Sequence, residues 1–312
     1  MNSKIPVIAA PMFLISDPKL VMAQCAAGIV GSFPSLNARP VSVLDEWLDE
    51  LNQGLASLRS KGHQPAPYAV NLIVHKSNAR LEQDLALCIK HRVPKIITSL
   101  GANTEVYAAC AAAGIEVLHD VTTNVYAHKA IDKGATGLIA VCAGAGGHAG
   151  AQSPFALVGE IREWFKGPLA LSGAIASGRG ILAALALGAD YAYIGSAFIA
   201  TTEARASDAY KQSIINSTAS DIIYTKSFTG IAGNYLRESI VNAGLNPDAL
   251  PDAQSVVDFS KVNAAKVWKD IWGSGQGIGV IHEVKSVQTL VDQWQKEFEV
   301  ALKSMCAKPV AG

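Results

Sequence analysis

The sequence predicts an α/β protein built as a (β/α)8 TIM barrel, with a mainly helical cap inserted after the eighth strand. Three observations predict it. Eight short β-rich runs recur through the first two thirds of the 312-residue chain. Most of them are apolar at successive positions, as strands enclosed between a core and a helical layer must be. The segments between them carry the three-to-four-residue apolar spacing of helices. Repeated strand–helix units lay strands parallel, and eight of them suffice to close a ring. An open doubly wound sheet is the alternative, because strand count alone does not prove closure.

In chain order the runs are PVIAA (6–10), GIVGSF (28–33), YAVNLIV (68–74), KIITS (95–99), EVLHD (116–120), GLIAV (137–141), LALSG (169–173) and YAYIG (191–195). Four intervening helices end on Gly28, Gly114, Gly134 or Gly188, just ahead of the next strand. Glycine suits that place because it accepts the left-handed conformation that terminates a helix. Two segments break the repeat. Residues 35–67 add a loop and an acidic-faced helix, VSVLDEWLDELNQGLASL. Residues 202–280 follow the eighth strand and form the expected cap, leaving 1–201 and 281–312 as the barrel domain. A helix near 285–305 closes the chain, with an apolar stripe suited to packing on the barrel.

Half of the residues are apolar, enough for a large core. The 26 basic and 26 acidic side chains cancel and are scattered, which argues against nucleic acid or an anionic membrane as partner and for a small-molecule substrate. Five cysteines, odd in number and without a CxxC pair, suggest neither a disulfide framework nor a metal site. The start of the chain is too short and too weakly basic for a signal peptide, and no apolar run reaches the roughly 18 residues of a membrane helix. A soluble cytoplasmic protein is expected.

In barrels of this kind the chemistry gathers at the C-terminal ends of the strands. There, directly after GLIAV, stands CAGAGGHAG (142–150), whose glycines let backbone approach a flat ligand and whose His148 can take a proton near neutral pH. A tight turn with a solvent-facing histidine is the plain alternative. After the next two strands come AIASGRG (174–180) and SAFIAT (196–201), small residues whose N–H groups can surround a phosphate without a lysine. Tight turns would use the same glycines. Asn71 interrupts an apolar strand with an amide that suits the edge of a flavin or purine ring, or that bonds a loop. Ala10, Pro11 and Met12 end the first strand and can lay backbone against the same ring.

Taken together and in order, AGGH (145–148), SGAIASGRGILAALALGAD (172–190), IGSAF (194–198), APM (10–12), VNL (70–72), FTGIAGNYLR (228–237) and SGQG (274–277) resemble the nitronate monooxygenase family, FMN-containing TIM barrels. The resemblance runs from about residue 5 to residue 300. It implies FMN as cofactor and oxidation of alkyl nitronates, such as propionate 3-nitronate, with O2 to a carbonyl product and nitrite. By the resemblance His148 is the catalytic base, Asn71 and Gly146 touch the flavin, Gly173, Ala174, Gly195 and Ser196 cradle its phosphate, and Gln276 approaches it from the returning loop. A homodimer is compatible with it. Four positions depart from the family pattern: Val141 and Gly144 stand where members commonly carry Gln and Glu, Ala174 replaces a glycine of the phosphate loop, and Asp120 stands where some relatives place a lysine. Two other functions fit the same residues. One is an NAD(P)H-dependent FMN reductase acting on a quinone or an enoyl thioester; the other is a flavin-free barrel that isomerises or merely binds a phosphorylated ligand.

Overall fold

A computed structural model describes residues 5–250 and 269–307. Each β-rich run becomes a strand: β1 Val7–Ala9, β2 Gly31–Pro34, β3 Tyr68–Ile73, β4 Lys95–Ser99, β5 Glu116–Val121, β6 Gly137–Val141, and, after a two-residue strand β7 (Gly147–His148) outside the ring, β8 Leu169–Ser172 and β9 Tyr191–Ile194. The second strand begins later than its apolar run because Gly28 is spent ending the preceding helix, its N–H bonded to Cys25 O at 3.1 Å. All neighbouring barrel strands pair in parallel, in the order β1-β9-β8-β6-β5-β4-β3-β2. The two end strands meet through the parallel bridge Ile8↔Val30, where Ala9 N–H donates to Val30 O at 2.8 Å and Val30 N–H to Val7 O at 3.0 Å. That bridge completes the ring and excludes the open sheet.

The helices form where the sequence places start and stop signals. Asp17, Asn103, Thr123 and Ser177 each cap a helix by accepting a backbone N–H of its first turn. Gly28, Gly114, Gly134 and Gly188 all sit at positive φ between 70° and 105°, as helix-ending glycines do. The inserted helix α2 (Val41–Ser60) buries Leu44, Leu48, Leu51 and Leu55, one apolar stripe, and leaves its acidic face outside. The C-terminal helix, Val287–Cys306, packs on the barrel through Trp294. The Trp294 ring is fully buried, edge-on to Phe198 at 5.4 Å, and its Nε1–H donates to Ala176 O at 3.0 Å. Gly178 makes that approach feasible, since a Cβ there would stand 2.1 Å from Trp294 O.

Inside the ring, strand residues two apart share a face. Ile8, Val30, Ala69, Ile97, Leu118, Ile139 and Ala170 form an apolar floor with Tyr191 and Tyr193. One step toward the C-terminal ends the same faces present Ala10, Ser32, Asn71, Ser99, Asp120, Val141 and Ser172. Most of that upper layer is polar, and it opens to the mouth.

The segment after β9 lies over that mouth. Its described part holds the helix Asp208–Asn216, the strands β10 (Ile222–Thr225) and β11 (Gly233–Leu236), and the helix Arg237–Asn242. Where the sequence predicts a mainly helical cap, the described residues thus carry a β-hairpin as well; residues 251–268 of the cap lie outside the described residues. The antiparallel strand β11 pairs with β7, setting Gly233 opposite His148 and Asn234 opposite Gly147. The loop expected at 142–150 therefore contains a strand, because the arriving β11 supplies hydrogen-bond partners that no local sequence pattern announces. Among the described residues no helix is long and apolar enough to cross a membrane, no acid, histidine or cysteine cluster could hold a metal, and all five cysteines are free thiols, four of them buried.

Candidate functional site

Gly144 organises the loop after β6. At φ +83° it adopts a conformation that side chains rarely take, and a Cβ there would stand 3.0 Å from Gln276 Oε1 and 3.1 Å from Ala174 Cβ. Its carbonyl accepts Gln276 N–H at 2.9 Å and Ala174 N–H at 3.2 Å. Gly144 is thus a junction of three chain segments where a side chain would be strained by its φ and crowded by Gln276 and Ala174. Gly146 is equally constrained, since a Cβ would lie 2.7 Å from Gly275 N. Glycine is needed at 146 for the passage of residues 274 and 275, whose own Gly275 N–H donates to Ser196 Oγ at 2.8 Å.

Between the ends of β8 and β9 these segments leave a small open cleft, lined by Gly144, Gly146, Gly173, Ala174, Gly195 and Ser196, among others. None of its lining side chains is charged. Gly173 (φ 148°) and Ala174 (φ 54°) both sit at positive φ. For alanine that conformation costs on the order of 1–2 kcal/mol, so Ala174 stores strain at the cleft. The Ala174 N–H already donates to Gly144 O, so this donor is engaged within the loop. Gly195 is roomier: a Cβ would make ordinary contact with Ala10 Cβ at 3.4 Å and Met12 Sδ at 3.8 Å.

His148 stands on β7 beside the mouth. Its Nε2 lies 2.9 Å from Thr229 Oγ1, and that hydroxyl donates its single proton to Ile231 O at 3.1 Å. A Thr229 hydroxyl that gives its proton to Ile231 accepts from the imidazole, and the neutral ring then carries its proton on Nε2. Burial lowers the His148 pKa to about 4, so the ring is neutral at physiological pH. Asn234 secures the same loop from β11, its Nδ2 donating to Ala145 O at 2.6 Å.

Across the mouth, Asn71 Nδ2 donates to Ser99 Oγ at 2.8 Å and to Ile97 O at 3.2 Å. The Ile97 carbonyl fixes the amide orientation, and with both N–H groups spent Asn71 can offer a ligand only its Oδ1, an acceptor. Ser99 in turn hydrogen-bonds Asp120, as does Leu100 N–H. Burial raises the Asp120 pKa to about 6 against those two hydrogen bonds, which lower it. Tyr193, at the edge of the floor, is held well above the ordinary phenol range by burial and then by the Asp120 charge. Leu100 takes a positive φ of 63° to deliver its N–H.

The loop after β1 brings Ala10, Pro11 and Met12 to the rim, all half-buried. Asn37 clamps it: Nδ2 donates to Met12 O at 3.0 Å and Ser16 O at 2.8 Å, while Oδ1 accepts Leu14 N–H at 2.9 Å. All the residues singled out in the sequence therefore gather at one end of the barrel. Thr229 and Asn234, within FTGIAGNYLR, and Ser99 and Asn37 also belong to it; the sequence gives none of them a role, because each acts through a partner 20 or more residues away. Asn71, Ser99 and Asp120 did carry one legible signal, a polar residue ending an apolar strand.

Comparisons with known proteins identify the family and the fold. The family model described as nitronate monooxygenase matches residues 78–297. A nitronate monooxygenase of Paraburkholderia phytofirmans is 25% identical, the alignment covering 96% of this chain and 94% of that one. Among solved structures, FabK from Thermotoga maritima superposes with a TM-score of 0.78 at 24% identity, over 97% of this chain and 95% of that one. A nitroalkane oxidase from Streptomyces ansochromogenes superposes with a TM-score of 0.77 at 24% identity, over 96% of this chain and 97% of that one.

Proposed function

This chain belongs to the nitronate monooxygenase family, and from that premise we propose that it oxidises alkyl nitronates with FMN and O2 to a carbonyl product and nitrite, propionate 3-nitronate being the test substrate. Membership makes it an enzyme, an oxidoreductase. The observation that carries the finer reading is His148, an imidazole kept neutral by burial at the barrel mouth and held through Nε2 by Thr229.

When bound, FMN would supply the electron-accepting chemistry and the reaction with O2. The residues present fit it. The uncharged cleft of glycine, alanine and serine admits a phosphate close to backbone, at Gly173, Ala174, Gly195 and Ser196. Ala10, Pro11 and Met12 offer backbone at the rim for a flat ring, Asn71 Oδ1 accepts a ring N–H, and Gly146 and Gln276 close the side of the returning loop. His148 acts on the substrate. With a neutral nitroalkane it takes the α-proton, and the negative charge formed beside it raises its basicity as the proton arrives. A preformed nitronate needs no such step. The hairpin pairing with β7 shields the reacting groups from water, the role we assign to residues 202–280 as a lid. A cytoplasmic homodimer completes the reading.

Oxygen uptake and nitrite release by the FMN-loaded protein with propionate 3-nitronate, set against NAD(P)H oxidation without it, tests this assignment. Uptake with nitrite supports it. NAD(P)H oxidation driven by a quinone or an enoyl thioester, with no nitronate turnover, assigns the reductase function instead. A colourless protein that FMN cannot reconstitute overturns both.

A further inference from the structure

The two loops assigned to the phosphate follow β8 and β9, and the C-terminal helix Val287–Cys306 touches both. On the β8 side, Trp294 Nε1–H donates to Ala176 O at 3.0 Å and Gly178 N–H donates to Glu297 Oε2 at 2.7 Å. Ala176 lines the cleft, and Gly178 opens the helix Gly178–Ala186 that follows it. On the β9 side, the Trp294 ring meets edge-on the ring of Phe198, in the short helix Ser196–Ile199 whose first residue lines the cleft. We propose that Trp294 and Glu297 are positioning residues for the cofactor's phosphate: from outside the cleft they set the spacing of its two walls, and with it the preference for a phosphorylated flavin over the bare one. The inference rests on the reading that FMN places its phosphate in this cleft.

Trp294 and Glu297 stand one helical turn apart, so a single face of the helix presents both. Neither lines the cleft, and each acts through a residue that does or that adjoins one. The helix is seated closely enough to leave the β8 loop no room to retreat: a Cβ at Gly178 would stand 2.5 Å from Phe298 N and 2.7 Å from Glu297 Cβ. The two hydrogen bonds keep the same loop from swinging away. The β9 loop is tied to the start of this segment through backbone, since Thr201 and Lys285 form a parallel bridge and Thr202 N–H donates to Lys285 O at 3.1 Å. From there a side-chain relay returns to the β8 loop. Lys285 Nζ donates to Gln293 Oε1 at 2.6 Å, and Gln293 Nε2 donates to Glu297 Oε1 at 2.6 Å. The ammonium can only donate and the ionised carboxylate only accept, so the amide between them has one orientation, and it aims Glu297 at Gly178. Thr202, Lys285, Gln293, Glu297 and Gly178 thus connect one wall to the other. Walls held in place beforehand need no ordering when the phosphate arrives, which raises affinity for it.

The test compares FMN with riboflavin, the same ring without the phosphate, by fluorescence titration of the full chain freed of flavin. The wild type binds FMN more tightly than riboflavin. Glu297→Ala and Trp294→Phe each raise the Kd for FMN about tenfold, the worth of one well-placed hydrogen bond, and leave that for riboflavin unchanged. Glu297→Gln keeps an acceptor for Gly178 N–H and restores part of the loss. Equal weakening of both flavins gives the two residues a merely structural role and overturns the proposal. So does tighter FMN binding by Glu297→Ala, which would mean that the carboxylate acts by repelling the phosphate. Where a variant fails to fold, hydrogen exchange on the wild type decides. Coupling is reciprocal, so FMN slows exchange in segment 285–297 more than riboflavin does, and equal protection by the two overturns the proposal. A wild type that binds both flavins equally overturns the phosphate reading itself; a wild-type preference that persists in full in both folded variants overturns the clamp alone.

Discussion

The floor and the mouth of this barrel are built from the same strands, two residues apart, and they are opposite in character. Ile97 and Leu118 lie in the floor, where packing excludes water; Ser99 and Asp120, the next residues on the same faces, are polar and hydrogen-bonded. Alternation thus lets one strand spend one side chain on cohesion and the next on chemistry, without any change of backbone. The difference also assigns consequences: a lesion in the floor should be felt as stability, a lesion in the mouth as function.

The largest expected effect breaks that comparison if it fails. His148→Ala should lower turnover of a neutral nitroalkane by roughly 10²–10⁴-fold, the usual worth of a positioned base, while the matching nitronate loses much less and FMN content stays the same. Steady-state rates on both substrate forms read it. Equal losses on both would give His148 an orienting role and put the mouth's chemistry elsewhere. In the floor, Leu118→Ala should cost about 2–5 kcal/mol in urea unfolding, the range for a buried leucine cut to a methyl, with kcat per folded molecule retained. A normal stability would mean the floor is not close-packed.

Asp120 sharpens the contrast because it is a mouth residue with a stability signature. Its folded-state pKa of about 6 lies above the ordinary 3.8, so its contribution to stability is complete below 3.8 and is lost as pH rises through 6. D120N should therefore gain on the wild type by about 2–3 kcal/mol between pH 4 and pH 7, from a shift of about two units. The two buried histidines run the other way, losing stability as pH falls from 6.5 through about 4, but they do so equally in both proteins. Parallel stability curves would show that the carboxyl ionises normally. The smallest effect concerns strain: Ala174→Gly should raise stability by about 0.5–1 kcal/mol by relieving a left-handed alanine, less than the full strain because glycine is freer in the unfolded chain. A loss on this substitution would mean that the methyl group packs, rather than strains, the cleft.

The strands, the four helix-ending glycines, the stripe of α2 and the place of AGGH at a strand end are all set by local sequence. Periodicity, turn chemistry and β-rich composition act within a few residues and need no distant partner. The gathering of Asn71, His148 and Gly195 at one mouth follows from the repeat as well, since a parallel barrel brings every strand end to one face. Other features were decided only when distant segments met. Gly144 reads as a loop glycine until Gln276 and Ala174 arrive to crowd it. The two-residue strand at Gly147 and His148 exists because β11 comes across from residue 233, and the His148 ring is held by Thr229, 81 residues away. Asp120 is an ordinary acid in the chain and an acid of pKa about 6 in the barrel. Hydrogen-bond direction and desolvation belong to the neighbours a side chain acquires, and only the closed barrel and its cap supply them.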